Sequence, residues 1–201
     1  SAIMAAGYIC RKVGSRYKSQ IPRFIEYCLK VDPPNYATLH AMRDALKAGE
    51  KTVSQFSLPI YELLKKTISN AKANLILLYL KLLRTLLNIP PITSTQILEC
   101  MQLAMKYTEQ PFIKNELAHV VARCAYSPFS SIDLNKQFET NEWSIGVLKM
   151  ETRTLNLEPS FQIMSKYPSI LSHSFIHFLN LLGPEMISMN HTNLFNFIRS
   201  K

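Results

Sequence analysis

Glycine is scarce in this chain of 201 residues, with five in all. That scarcity disfavours phosphate-cradling loops, glycine-dependent turns and β-meanders, and suits helices joined by short turns of Pro, Ser and Asn. The spacings G-x-x-x-x-G-K, G-x-G-x-x-G, G-x-S-x-G and H-E-x-x-H are missing, so the sequence carries no catalytic or nucleotide-binding signature. The 14 acidic residues are scattered, and no two of them form an evident acid/base pair. The four cysteines, Cys10, Cys28, Cys100 and Cys124, stand far apart inside apolar helical patterns. Without a C-x-x-C they indicate neither a zinc site nor a redox motif; buried free thiols in the cytosol or nucleus are expected. A basic-then-apolar leader is also missing from the opening SAIMAAGYIC, which reads as part of a longer protein.

Long apolar runs are missing too, although NLILLYLKLLRTLLNIPP, Asn74 to Pro91, comes near. A membrane-spanning helix needs about 20 nearly uncharged residues. Here the uninterrupted run is Leu75 to Leu80, then Lys81 and Arg84 interrupt, and Pro90-Pro91 ends the pattern. Asn74, Lys81, Thr85 and Asn88 fall on one stripe of a helix, with leucines around the remainder. The prediction is a helix enclosed on most sides with one polar edge, as between neighbours in a stack. Leu78 and Leu82 belong inside and Lys81 on the edge. No transmembrane segment is expected.

What the chain does have is a recurrence at 37 residues. Phe24, Tyr61 and Leu98 align, as do Tyr27, Leu64 and Met101, and Val31, Ile68 and Met105. Further on, Leu39, Ile76 and Ile113 align, followed by Leu46, Leu83 and Val120. Each copy reads as two helices: about 22–31 with 33–48, 58–69 with 71–88, and 95–107 with 111–126. Pro22 suits a first turn, where a missing N–H costs nothing. Asp32 is the expected N-cap of the helix at Pro33, and Gly49 its stop. A helix over about 2–13, ended by Gly14-Ser15, reads as the second helix of a preceding unit. Beyond Tyr126 the pattern loosens, with shorter helices expected over about 141–152, 160–166, 169–182 and 190–199. The expected organisation is one solenoid segment: 1–15 a half repeat, 20–49, 58–88 and 94–126 full repeats, and 127–201 diverged repeats.

Paired helices at this period, the first opened by proline, resemble the HEAT/armadillo class of α-solenoids. The clearest match is YTEQPFIKNELAHVVARCA, where Glu109, Ile113, Lys114, Ala118 and Val121 take the places of the second HEAT helix. The second repeat lacks an acidic-to-basic pair, and the first offers only Asn35 and Arg43. More narrowly, AIMAAGYICRKVGSRYKSQIPRFIEYCLK, then MRDALKAGEK and LPIYELLKKTI, is similar to the amino-terminal part of the large HEAT-repeat proteins that accompany clathrin adaptors at the trans-Golgi network and endosomes. The resemblance covers about 2–126. It implies an all-α, right-handed solenoid of antiparallel helix pairs, about four to five repeats long. It further implies a non-catalytic scaffold without cofactor or metal, cytoplasmic and peripheral at Golgi or endosomal membranes, with clathrin adaptor components as partners. A nuclear-transport or chromosome-associated solenoid is the alternative.

The net charge is +9, from 23 basic and 14 acidic residues, which favours acidic protein segments or an anionic membrane surface as partner; a solubilising surface is the plainer alternative. The candidate basic surface comprises Arg11, Lys12, Arg16 and Lys18 at one turn, with Lys72, Lys81 and Arg84 on the second repeat. In a solenoid, equivalent positions stack into rows, so these charges form a ridge. Few aromatics lie among them, which disfavours nucleic acid. His173 and His177 share a helix face at metal-ligand spacing, but no cysteine or carboxylate lies near in sequence, and packing explains them. His119 and Cys124 diverge by about 140° on one helix, which disfavours a catalytic pair.

Overall fold

The computed structural model describes residues 2–13, 19–49, 53–127 and 156–200. Every regular element among them is helical. In chain order these are α1 (Ala2–Val13), α2 (Ile21–Leu29), α3 (Tyr36–Gly49), α4 (Ser54–Ile68), α5 (Ala73–Leu86), α6 (Ser94–Gln102), α7 (Pro111–Tyr126), α8 (Glu158–Ser165), α9 (Leu171–Met189) and α10 (His191–Arg199). Contacts divide the chain into two compact units, 1–120 and 121–201. No described helix is long and apolar enough to cross a membrane.

In the first unit α2 packs on α3 and α4 on α5, while α1, α3 and α5 pack successively on one another, as do α2, α4 and α6. The apolar alignment explains this order. Leu39, Ile76 and Ile113 are all buried, and so are Leu46, Leu83 and Val120. In the first helices the buried rows are Ile25, Tyr61 and Ile97, and Cys28, Leu64 and Cys100, spaced 36 residues apart. The 37-residue alignment there is thus one position off: Tyr27 is exposed although Leu64 and Met101 are buried. The turns within and between pairs absorb the difference.

α5 carries the most apolar stretch of the chain. Ile76, Leu78, Tyr79, Leu80, Leu82, Leu83 and Leu86 are buried against α3, α4 and α6. Each such side chain contributes about 1.5–3 kcal/mol relative to exposure. Asn74 and Asn88 are exposed, and Lys81 and Thr85 half-buried, so the polar edge lies where the stripe predicts it.

Two helix starts and one helix end differ from the sequence expectation. α3 begins at Tyr36, not Pro33, and Asn35 rather than Asp32 is its cap. A residue before proline is driven out of the helical region, so Pro33, which precedes Pro34, cannot open a helix. Asn35 Oδ1 accepts hydrogen bonds from Thr38 N at 3.0 Å and from Thr38 Oγ1 at 3.1 Å. Asn35→Ala is expected to cost about 1 kcal/mol in a chemical denaturation experiment, with Asn35→Ser retaining most of the stability. α4 begins at Ser54, four residues before the expected Leu58, and carries Pro59 in its interior. Pro59 removes one backbone donor, but Ser57 Oγ ties this region down by donating to Ser54 O and, across the fold, to Pro90 O at 3.0 Å. α6 ends at Gln102 instead of running to Tyr107; it starts with a capping box between Thr93 and Gln96, and Met105–Tyr107 forms a separate 3₁₀ turn. Pro22 does lie in the first turn of α2. Gly49 is still helical, and the expected stop at Gly14-Ser15 lies outside the described residues.

In the second unit α9 packs on α8 and α10. Gly183 interrupts α9 with φ 78° and ψ 164°, a conformation that glycine alone adopts freely, and Pro184 follows it. Phe161 and Phe197 stack at 4.2 Å between ring centroids, joining α8 to α10. Ser160 Oγ donates to Ala125 O at 2.8 Å, which secures α8 to the end of α7. The helix expected over 141–152 lies outside the described residues.

Candidate functional site

Charges gather on one side of the first unit, along α1, α3, α5 and α7. On α3, helical spacing puts His40, Arg43, Asp44 and Lys47 on neighbouring turns. Asp44 is 1% exposed. Its Oδ1 lies 3.7 Å from Arg11 Nη1 on α1 and 3.9 Å from Arg43 Nη2, and its Oδ2 lies 3.4 Å from His40 Nδ1. On α7, Glu116 is 6% exposed and pairs with Arg84 Nε of α5 at 3.1 Å.

These groups sense one another. Burial pushes the Glu116 carboxyl above its ordinary range, and the cations Arg84, Lys81, Arg43 and Lys47, in that order, pull it back. Partial burial lowers the Lys47 ammonium, helped by the fields of Arg43, Arg11 and Arg84 and opposed by Asp44. Five cations, Arg11, Arg43, Lys47, Lys81 and Arg84, therefore share one field with two buried carboxylates. The carboxylates are sunk beneath the surface, so the accessible charge is positive. A site of this kind attracts anions.

Of the basic residues expected from sequence, Arg11, Lys81 and Arg84 come together in this row. Arg43 and Lys47 join them, although the basic-surface expectation did not include them. Lys12 is exposed, with its Nζ 5.7 Å from the Tyr8 ring centroid. Lys72 sits at the amino-terminal cap of α5, the opposite end of that helix from Arg84. Arg16 and Lys18 lie outside the described residues. On the first helices, Lys65 pairs with Glu99 at 4.0 Å and Lys66 with Asp32 at 3.7 Å. That side joins neighbouring pairs through acid–base contacts and presents less net charge.

The other candidates are placed as follows. His173 is exposed and His177 half-buried on α9, and among the described residues no group of three His, Cys, Asp or Glu could hold a metal ion. Cys124 is buried and His119 half-buried on α7. Cys28 and Cys100 are buried free thiols, Cys124 is buried as well, and Cys10 is half-buried. Burial pushes Cys28 up to about 11, assisted by Cys10, and Cys100 up to about 12. Near pH 8 a thiol reagent is expected to label Cys10 first, with Cys28 and Cys100 reacting only as the chain unfolds; peptide mapping of the native labelled protein checks this. No family model, curated protein or solved structure matches the chain.

Proposed function

We propose that this chain is a non-catalytic segment of a HEAT-type scaffold. In this reading it is a right-handed α-solenoid of antiparallel helix pairs that binds acidic protein segments along its second helices. The observation that carries it is the row of Arg11, Arg43, Lys47, Lys81 and Arg84 on successive helices, held over two buried carboxylates. Stacking of α1, α3 and α5 on one side and α2, α4 and α6 on the other supports the repeat arrangement. Because 2–126 is similar to the HEAT-repeat proteins that accompany clathrin adaptors, we place its work in vesicle traffic. Recruitment of adaptor components from the cytoplasm at Golgi or endosomal membranes is the role this suggests.

A fluorescent peptide of alternating Glu and Ser tests the reading. Its affinity is expected to fall steeply between low and physiological salt, as exposed charges are screened. The double variant Lys47→Glu, Lys81→Glu is expected to lower it at least about tenfold, with the circular dichroism unchanged. An affinity that ignores both salt and the double reversal contradicts the proposal.

A further inference from the structure

A cleft of about 750 Å³ opens beside the basic row, between the end of α3 and the stretch that leaves α5. Leu46, Ile89 and Pro90 give it apolar lining, Thr85 and Asn88 give it hydrogen-bonding groups, and Lys47 lines it as well. Lys47 therefore belongs to two features at once, the cleft and the cation row. Its position is not accidental to the repeat: Lys47 and Arg84 occupy the same place on successive second helices, 37 residues apart, each just after a buried leucine, Leu46 and Leu83.

We propose that the cleft and the adjoining cations form one docking site for an extended peptide in which an apolar side chain is flanked by carboxylates. This rests on the scaffold reading above and adds the sequence character of the partner. The apolar side chain enters the cleft against Leu46, Ile89 and Pro90. Thr85 and Asn88 supply polar partners for the peptide backbone. Carboxylates on the peptide meet Lys47 and, along the row, Arg43, Lys81 and Arg84. Charge complementarity selects this occupant: Asp44 and Glu116 are buried and partly neutralised, so the cations retain capacity for external carboxylates. The apolar lining is what a purely electrostatic site for nucleic acid would not need, and among the described residues no aromatic side chain lines the cleft to stack on a base.

The experiment uses the full chain and three synthetic peptides read by fluorescence anisotropy: a leucine between two Glu pairs, the same peptide with Ser for Leu, and the leucine peptide with Lys for Glu. The leucine–glutamate peptide is expected to bind about tenfold tighter than its serine counterpart, and the lysine peptide not at all. Asn88→Trp, an exposed position on the cleft, is expected to erase the tenfold preference while weak, salt-sensitive binding of both Glu peptides persists. Lys47→Glu is expected to weaken both Glu peptides. Equal affinity for the leucine and serine peptides overturns this inference and leaves the acidic-segment reading standing. Failure of every Glu peptide to bind overturns both, as does binding only to vesicles containing phosphatidylserine.

Discussion

Replacing Arg84 by methionine is expected to lower the stability of the chain by about 2–3 kcal/mol at neutral pH. Glu116 is 6% exposed, and Arg84 is the cation that touches it, at 3.1 Å. Removing one partner of an enclosed ion pair strands the other charge, at a cost of about 3–5 kcal/mol in fully buried cases. The figure here is lower because Arg84 keeps 34% of its side chain in water, and because Lys81, Arg43 and Lys47 still act on Glu116. The pH dependence identifies the cause. Burial raises the Glu116 carboxyl above its ordinary 4.5, so the folded chain holds that proton more tightly than the unfolded chain. Its contribution is therefore most favourable below about pH 4.5 and is lost as pH rises from there through the raised folded value. Without Arg84 the folded value climbs further, so the penalty widens with pH. Urea denaturation near pH 4 and near pH 8 is expected to show a small loss at the first and the full loss at the second. Adding Glu116→Gln to Arg84→Met is expected to restore most of the stability. A loss that is equal at both pH values, or no rescue by the second substitution, points to lost packing instead of a stranded charge.

Gly7→Val is expected to cost about 2–3 kcal/mol and to release α1 before the rest of the unit. A Cβ at Gly7 would meet Ala41 Cα at 2.5 Å, with Ala41 Cβ and O both at 2.9 Å. Two of these are backbone atoms, which cannot rotate away, so α1 must withdraw from α3. Even Gly7→Ala is expected to destabilise, although alanine favours a helix over glycine by about 1 kcal/mol. Ala41→Gly removes only the Cβ contact, so the Gly7→Ala, Ala41→Gly pair is expected to remain unstable. Hydrogen exchange localises the effect, with protection lost first over α1. The consequence reaches the charged row, because the same approach of α1 to α3 holds Arg11 3.7 Å from Asp44. Unchanged protection of α1 in Gly7→Val contradicts this packing.

Much of the first unit is legible because apolar burial imposes a period. The stripe of Asn74, Lys81, Thr85 and Asn88 follows from helical spacing alone, and Leu78 and Leu82 are inside as that spacing requires. α1 and α7 run where the pattern puts them. In the match YTEQPFIKNELAHVVARCA, Ile113, Ala118 and Val121 are buried while Glu109 is exposed. Capping and loop chemistry were harder to read. Asp32 looks like a cap until the restriction before Pro34 is applied, and Pro59 looks like a helix opener although tertiary packing carries α4 through it. The one-residue offset of the first helices is set by the turns, about which an apolar alignment says nothing.

The candidate site was half legible. Sequence proximity drew attention to Arg11, Lys12, Arg16 and Lys18, but helix stacking brings Arg11 to α3 and leaves Lys72 at the far end of α5. Arg43 and Lys47 were missed, and a signal for Lys47 existed. It stands one residue after Leu46, as Arg84 stands after Leu83, so the 37-residue period already aligned the two cations. The pairing of buried Asp44 and Glu116 with that row depends on which helices touch, which one chain read in isolation does not encode in any local pattern.

The most direct measurement is a titration of ¹⁵N-labelled protein with the leucine–glutamate peptide, followed by amide chemical shifts. Saturable shifts confined to the turns around Arg43–Lys47 and to Lys81–Ile89 are the predicted result. Shifts concentrated instead around Lys65 and Lys66 on α4, or spread evenly without saturation, would contradict a docking site on the second helices.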